Sequence, residues 1–172
     1  GALDPAFNAP LFARGARFVA LQPDGKVIVA AVSNLEPYAP AGALATAAPT
    51  IYRLRTDGSL DPAFTPAVLG ASDIIFGEPV VDGAGRIYLA GIIRAINGTP
   101  RANLARVNAD GTLDAGYAAP ATLPAGWASN QARAVLLQSD GRAVFVGDFR
   151  YTGRGTAPDR IMAVRLTTAG AL

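Results

Sequence analysis

One short phrase recurs along the chain. It reads TDGSLDPAF from Thr56 to Phe64 and ADGTLDAGY from Ala109 to Tyr117. The opening GALDPAF, Gly1 to Phe7, and the closing TTAGAL, Thr167 to Leu172, are partial copies of it. The phrase glycines Gly1, Gly58, Gly111 and Gly170 lie 57, 53 and 59 residues apart. A second marker, the glycine of LQPDGKVIVAA, gives the same period: Gly25, Gly85 and Gly141 are 60 and 56 residues apart. Such a repeat constrains the fold more than local propensity does. Each copy must be one supersecondary unit that buries its faces against its neighbours.

Every copy follows the same order. An alternating apolar segment comes first: RFVALQ at 17–22, DIIFGEPVV at 73–81 and RAVLLQ at 133–138. A glycine turn follows, Asp-Gly in the first and third copies, which supplies the positive φ of a tight hairpin. Next come KVIVAAV, RIYLAGI and RAVFVGDF, rich in β-branched and aromatic residues. After a variable loop there is a third strand, IYRLR at 51–55, LARVN at 104–108 and MAVRLT at 162–167, then a second glycine turn into the phrase itself. No helical period runs through 11 or more residues. The expected fold is all-β, a β-propeller-like array of three four-stranded antiparallel blades in one repeat domain over 1–172. Its approximate units are 1–64, 65–117 and 118–172. A propeller ring has about four to eight blades, so three units make a half-ring or a segment of a larger one.

The phrase carries charge at fixed offsets. Arg53, Arg106 and Arg165 each precede a phrase glycine by five residues, and Asp4, Asp61 and Asp114 each follow one by three. An arginine on the third strand faces an aspartate just past the turn. This predicts one partly buried, bidentate pair per unit: Arg53 with Asp61, Arg106 with Asp114, and Arg165 with Asp4. The pairs could form a row of binding sites, but their presence in every unit favours a scaffold role that locks units together. Leu60 and Phe64, with Leu113 and Tyr117, are spaced to pack on the neighbouring unit. Leu3 to Phe7 can complete the last unit of the same chain or a unit of another copy, or the chain is cut from a longer array.

Composition narrows the chemistry. The chain has 172 residues, 51% hydrophobic and 16% charged, with 19 Gly and 13 Pro. That describes a turn-rich globular domain with a sizeable core. The net charge of +2 comes from dispersed arginines and one lysine, Lys26. Without a basic stripe, nucleic acid is not an expected partner. There is no Cys and no His, which removes disulfides, thiol chemistry and the preferred ligands of zinc and copper. No uncharged apolar run reaches the ~18 residues of a membrane span. No charged start followed by an apolar run opens the chain. NLEPYAPAGALATAAPT, Asn34 to Thr50, is broken by prolines and reads as a loop.

The run DGAGRIYLAGIIRAINGTPRANLARVNADGTLDAGY, Asp82 to Tyr117, resembles the delta-60 repeat of large, mostly bacterial proteins. LQPDGKVIVAA, IYRLRTDGSLDPAF and LQSDGRAVFVGDF match the same pattern. The resemblance covers nearly the whole chain apart from the loops at 34–50 and 118–130. It implies a β-propeller-like, non-enzymatic module of an extracellular or cell-surface protein. The sequence departs from the pattern at Ala84, at Thr168-Ala169 and at Gly116-Tyr117.

Catalytic residues are not expected. Asp24, Asp57, Asp82, Asp110 and Asp140 flank turn glycines, and three more aspartates belong to the phrase. Asp148 and Asp159 are the only candidates for the facing carboxylates of a glycosidase. Each could equally pair with Arg150 or Arg160 in a solvated loop. A Ser-His-Asp triad is impossible without His, and no GxSxG elbow or dinucleotide loop appears. No cofactor is implied. Asn97-Gly98-Thr99 reads as a hairpin turn. Calcium is not indicated, because the acids are dispersed. Function is expected in the loops: Tyr38 at 34–50, Trp127 at 118–130, and Arg150, Tyr151 and Arg154 at 150–160. Aromatic side chains flanked by arginine suit a protein or glycan partner. The other reading of Trp127 is a plug between units. The alternatives to a binding scaffold are a carbohydrate-active propeller enzyme and a lectin-like glycan binder.

Overall fold

The computed structural model describes residues 1–10, 15–31, 48–117, 127–151 and 159–171, with the backbone alone at 127–130, 149–151 and 159–162. These residues are strands and turns, with no helix among them. The first sheet contains β1 (Ala16–Leu21), β2 (Val27–Ala31), β3 (Thr50–Leu54) and β4 (Ala67–Val68), in that order. The second is built on β7 (Ile87–Ile92), which pairs with β10 (Leu104–Val107), β5 (Ile74–Ile75) and β6 (Val80–Val81). The third contains β11 (Trp127–Leu137), β12 (Ala143–Tyr151) and β13 (Asp159–Leu166). A small hairpin, β8 (Ala95–Ile96) with β9 (Thr99–Pro100), stands apart. All pairings are antiparallel.

The architecture is therefore four sheets, not three four-stranded ones, and among the described residues no strand pair joins the third sheet to the first. Three local causes explain the difference. The segment 73–81 is split into β5 and β6 because Gly77 and Pro79 interrupt it. Pro79 has no N–H for a ladder, and a Cβ on Gly77 would lie 2.7 Å from the Arg133 carbonyl. The phrase LDPAF is not a strand. Leu60 makes one bridge to Leu54, and then Phe64 N–H turns back to the Asp61 carbonyl at 3.1 Å. The fourth strand of the first sheet comes later, at Ala67–Val68. In the third sheet, strands reach into both expected loops. Trp127 starts β11, Asp148, Arg150 and Tyr151 end β12, and Asp159 starts β13.

Alternation gives each sheet two apolar faces. Ile28, Ala30 and Ile51 of the first sheet bury themselves with Ile87, Leu89, Ala105 and Val107 of the second. The opposite face of the second sheet, with Tyr88, Ala90 and Leu104, meets Val135, Phe145, Val164 and Leu166 of the third. β7 reads IYLAGI and is buried along almost its whole length because it serves both junctions. The Asn97-Gly98 hairpin forms as the sequence predicts, with φ of 48° and 77°.

Candidate functional site

The two junctions are built alike, and the phrase builds them. Gly58 and Gly111 have φ of 83° and 90°, the left-handed region that glycine reaches without strain. The turn brings Asp61 opposite β3 and Asp114 opposite β10. Each aspartate then caps its own turn: Asp61 Oδ1 accepts from Ala63 N–H at 3.0 Å, and Asp114 Oδ1 accepts from Gly116 N–H at 3.0 Å. Each Oδ2 takes an arginine. Arg53 Nε donates to Asp61 Oδ2 at 2.9 Å, and Arg106 Nε to Asp114 Oδ2 at 2.7 Å.

The pairs are not bidentate, because each guanidinium has a second task. Arg53 Nη1 donates to the Ala109 carbonyl in the next unit's phrase, and Arg106 Nη1 to the Thr168 carbonyl at 2.9 Å. Each guanidinium also lies over a phrase aromatic, Arg53 at 4.9 Å from the Phe64 centroid and Arg106 at 4.2 Å from Tyr117. The main chain crosses alongside. Thr65 N–H donates to the Asp110 carbonyl at 2.7 Å, and a Cβ on Gly111 would strike the Thr65 carbonyl.

The charges are deeply set. Arg53, Asp61 and Arg106 are 7%, 7% and 5% exposed. Burial alone would raise the Asp61 carboxyl, but the Ala63 N–H, Lys26 and Arg53 hold it below the usual carboxylate range. Burial would lower the Arg106 guanidinium, and its bonds to Tyr88 and Asp114 reverse that and raise it. Tyr117 is pushed up chiefly by burial, and its hydroxyl has no hydrogen-bond partner among the described residues.

The third expected pair does not form. Asp4 and Arg165 are both exposed, and no ion pair joins them. The reason is that residues 4–8 dock on the first unit. Asn8 N–H donates to the Asp57 carbonyl at 2.9 Å, and a Cβ on Gly58 would lie 2.8 Å from Asn8 N.

Of the loop residues, Tyr38 and Arg154 lie outside the described residues. The backbone sets Trp127 opposite Tyr151 and Ala128 opposite Arg150, at one end of the third sheet. The structure thus brings Trp127, Arg150 and Tyr151 together on neighbouring strands. Asp148 Oδ2 meets Arg133 Nη2 at 3.4 Å, both about half exposed. No group of three or more Asp or Glu that could hold a metal occurs among the described residues.

Several contributors carry no strong sequence signal. Tyr88 accepts from Arg106 Nη1 at 3.2 Å, although its position in β7 reads as plain core. Lys26 joins Asp61 at 3.2 Å. Gln22, 4% exposed, donates from Nε2 to the Gly85 carbonyl at 2.7 Å across the first junction. The Gln before the Asp-Gly turn in the first and third units is the trace that could have flagged it. Asp73 is buried and accepts from Gly70 and Arg94 N–H, both at 2.9 Å. A cleft of ≈ 370 Å³ opens on the outer side of the phrase, lined by Tyr52, Leu60, Asp61, Pro62, Phe64 and Pro66.

A family model described as "Domain of unknown function (DUF5122) beta-propeller" matches residues 42–64 and 85–117. Both stretches end on the aromatic of a phrase, Phe64 and Tyr117. No curated protein and no solved structure matches the chain.

Proposed function

We propose that the chain is a non-enzymatic scaffold, an array of three propeller-like units that presents its loops to a protein or glycan partner. The observation that carries this reading is the use made of the buried charges. In the first two units the aspartate and the aromatic of the phrase hold an arginine whose other nitrogen bonds the next unit's main chain. A buried charge engaged in packing is not available to a substrate. Asp148 is engaged in an exposed ion pair with Arg133. We further propose an extracellular or cell-surface setting, with neighbouring repeats or other copies as partners, a reading supported by the repeat resemblance.

The loop end of the third unit, with Trp127, Arg150, Tyr151 and Arg154, is the proposed contact surface, and Tyr38 belongs to the same proposal. The test is binding of the chain to glycan and protein arrays, alongside turnover assays on a panel of glycosides. Binding that falls at least tenfold in Trp127→Ala or Tyr151→Ala with unchanged folding supports the reading. Turnover abolished by Asp148→Asn would replace it with the enzymatic one.

A further inference from the structure

The first hairpin turn of the second unit is capped from a different place than its counterparts. In the first and third units the aspartate directly before the turn glycine is the cap. Asp24 Oδ1 accepts from Lys26 N–H at 3.1 Å, and Asp140 Oδ1 from Arg142 N–H at 3.0 Å. In the second unit the cap stands two residues earlier. Asp82 Oδ1 accepts from Ala84 N–H at 3.0 Å and Arg86 N–H at 2.9 Å, and its Oδ2 holds Arg86 Nε at 2.7 Å. The turn therefore keeps its shape without a large side chain at its tip. Gly83-Ala84 stands where the other units have Pro23-Asp24 and Ser139-Asp140. A Cβ on Gly83 would meet nothing within 4 Å.

Two cavities open on this tip. One, of ≈ 200 Å³, lies against the turn of the first unit, and the other, of ≈ 400 Å³, against the turn of the third. Gly83 and Ala84 line both. Together the cavities fall within the about 300–1,000 Å³ of a small-molecule site. Asp24 and Arg53 border the first, Asp82 and Arg86 the second. Each side thus carries one charge of either sign, and all four are held within the protein: Asp24 by Lys26, Arg53 by Asp61, and Asp82 by Arg86. Neither side selects a charged ligand. The groups left are side-chain amides and a hydroxyl, from Gln22 on one side and the exposed Gln138 and Ser139 on the other. Gln22 Nε2 is spent on the Gly85 carbonyl, while its Oε1 is buried with no partner among the described residues. A ligand hydroxyl complements such groups, because it donates to an amide oxygen and accepts from an amide N–H.

We infer that the groove over Gly83-Ala84 is a binding site for a neutral oligosaccharide, with sugar residues seated on both sides of the turn. Such a site deepens the scaffold reading above, on which it rests, by naming a glycan and a second place for it, apart from the loop end at Trp127. Three observations favour this occupant. The charges balance on each side, the uncommitted groups suit hydroxyls, and two cavities in series suit a chain of repeated polar units.

The test is an array of neutral and charged oligosaccharides and of peptides, followed by calorimetric titration of the full chain with the neutral oligosaccharide that binds best. Gly83→Trp fills the groove without backbone strain, since Gly83 lies outside the left-handed region. It should lower affinity about tenfold or more, with an unchanged thermal midpoint. Gly83→Ala should leave affinity unaltered. Gln138→Ala, an exposed change that does not burden the fold, should weaken binding measurably. Binding of neutral oligosaccharide that is indifferent to Gly83→Trp and Gln138→Ala but lost in Trp127→Ala overturns this site and leaves the loop-end reading standing. Preference for peptides or charged glycans, with the same dependence on Gly83, overturns the ligand class. No binding to any member of the array overturns this proposal and the glycan arm of the scaffold reading together, whereas protein binding at Trp127 would keep the scaffold reading alone.

Discussion

Arg53 belongs to two units at once: its Nε holds Asp61 Oδ2 at 2.9 Å while its Nη1 holds the carbonyl of Ala109. A lysine in its place could reach one acceptor, but its point-like ammonium lacks the planar fork whose separate nitrogens meet the two at once. Arg53→Ala leaves Asp61 buried and without its arginine, and should cost about 3–5 kcal/mol. Arg53→Lys should recover less than half of that. Chemical denaturation of the three proteins, with a double-mutant cycle against Asp61→Asn, measures both. A loss under 1 kcal/mol would mean that the cluster is not a lock.

The second junction contains a removable fault. The Tyr117 hydroxyl is buried without a hydrogen-bond partner among the described residues, at a position where the first unit has Phe64. Tyr117→Phe should keep the stacking on Arg106 and stabilise the protein by about 1 kcal/mol, because an unsatisfied buried hydroxyl costs about 1–3 kcal/mol. The thermal midpoint should rise by a few degrees. Phe64→Tyr should lower it.

Glycine substitutions should divide by position. Gly98 has φ of 77° with open space around it, so Gly98→Ala meets backbone strain alone, about 1 kcal/mol. Gly111 has φ of 90° and the Thr65 carbonyl stands where a Cβ would go. Gly111→Ala must push the crossing segment away and should cost several times more. Hydrogen exchange should show the added opening at Thr65, whose N–H crosses to Asp110.

The pH profile follows from the carboxylates. Asp61, Asp57 and Asp110 all have folded-state pKa values below the ordinary 3.8. A depressed carboxylate contributes stability that is present above the unfolded value and lost as pH falls through the folded one. Stability should therefore decline below about pH 4 and, with no histidine in the chain, stay level between about pH 5 and 8. Asp61→Asn should flatten part of the acid limb in a Tm-against-pH series. A midpoint falling near pH 6.5 would contradict this account.

The period, the strand-rich units and two of the arginine–aspartate pairs were legible in the sequence because repetition marks them three times over. Arg53 and Asp61 could be matched from their offsets to Gly58 alone. The destination of the other guanidinium nitrogen could not, since its acceptor at Ala109 is main chain and leaves no side-chain signature. For the same reason LDPAF reads as a strand until Pro62 and the Asp61 cap turn it toward the next unit. The pairing of Arg165 with Asp4 followed from the offsets too, but offsets do not say on which unit residues 4–8 rest. Trp127 and Tyr151 looked like loop residues because β11 and β12 are longer than their counterparts.

The carbonyls at Ala109 and Thr168 accept the arginines of the preceding units, and the corresponding position in the first unit is Thr56. A peptide carbonyl is the same whatever side chain stands beside it. The arginine's bond is therefore blind to the side chain at that residue, and selectivity at the joint falls to the buried sheet faces and the stacked aromatic.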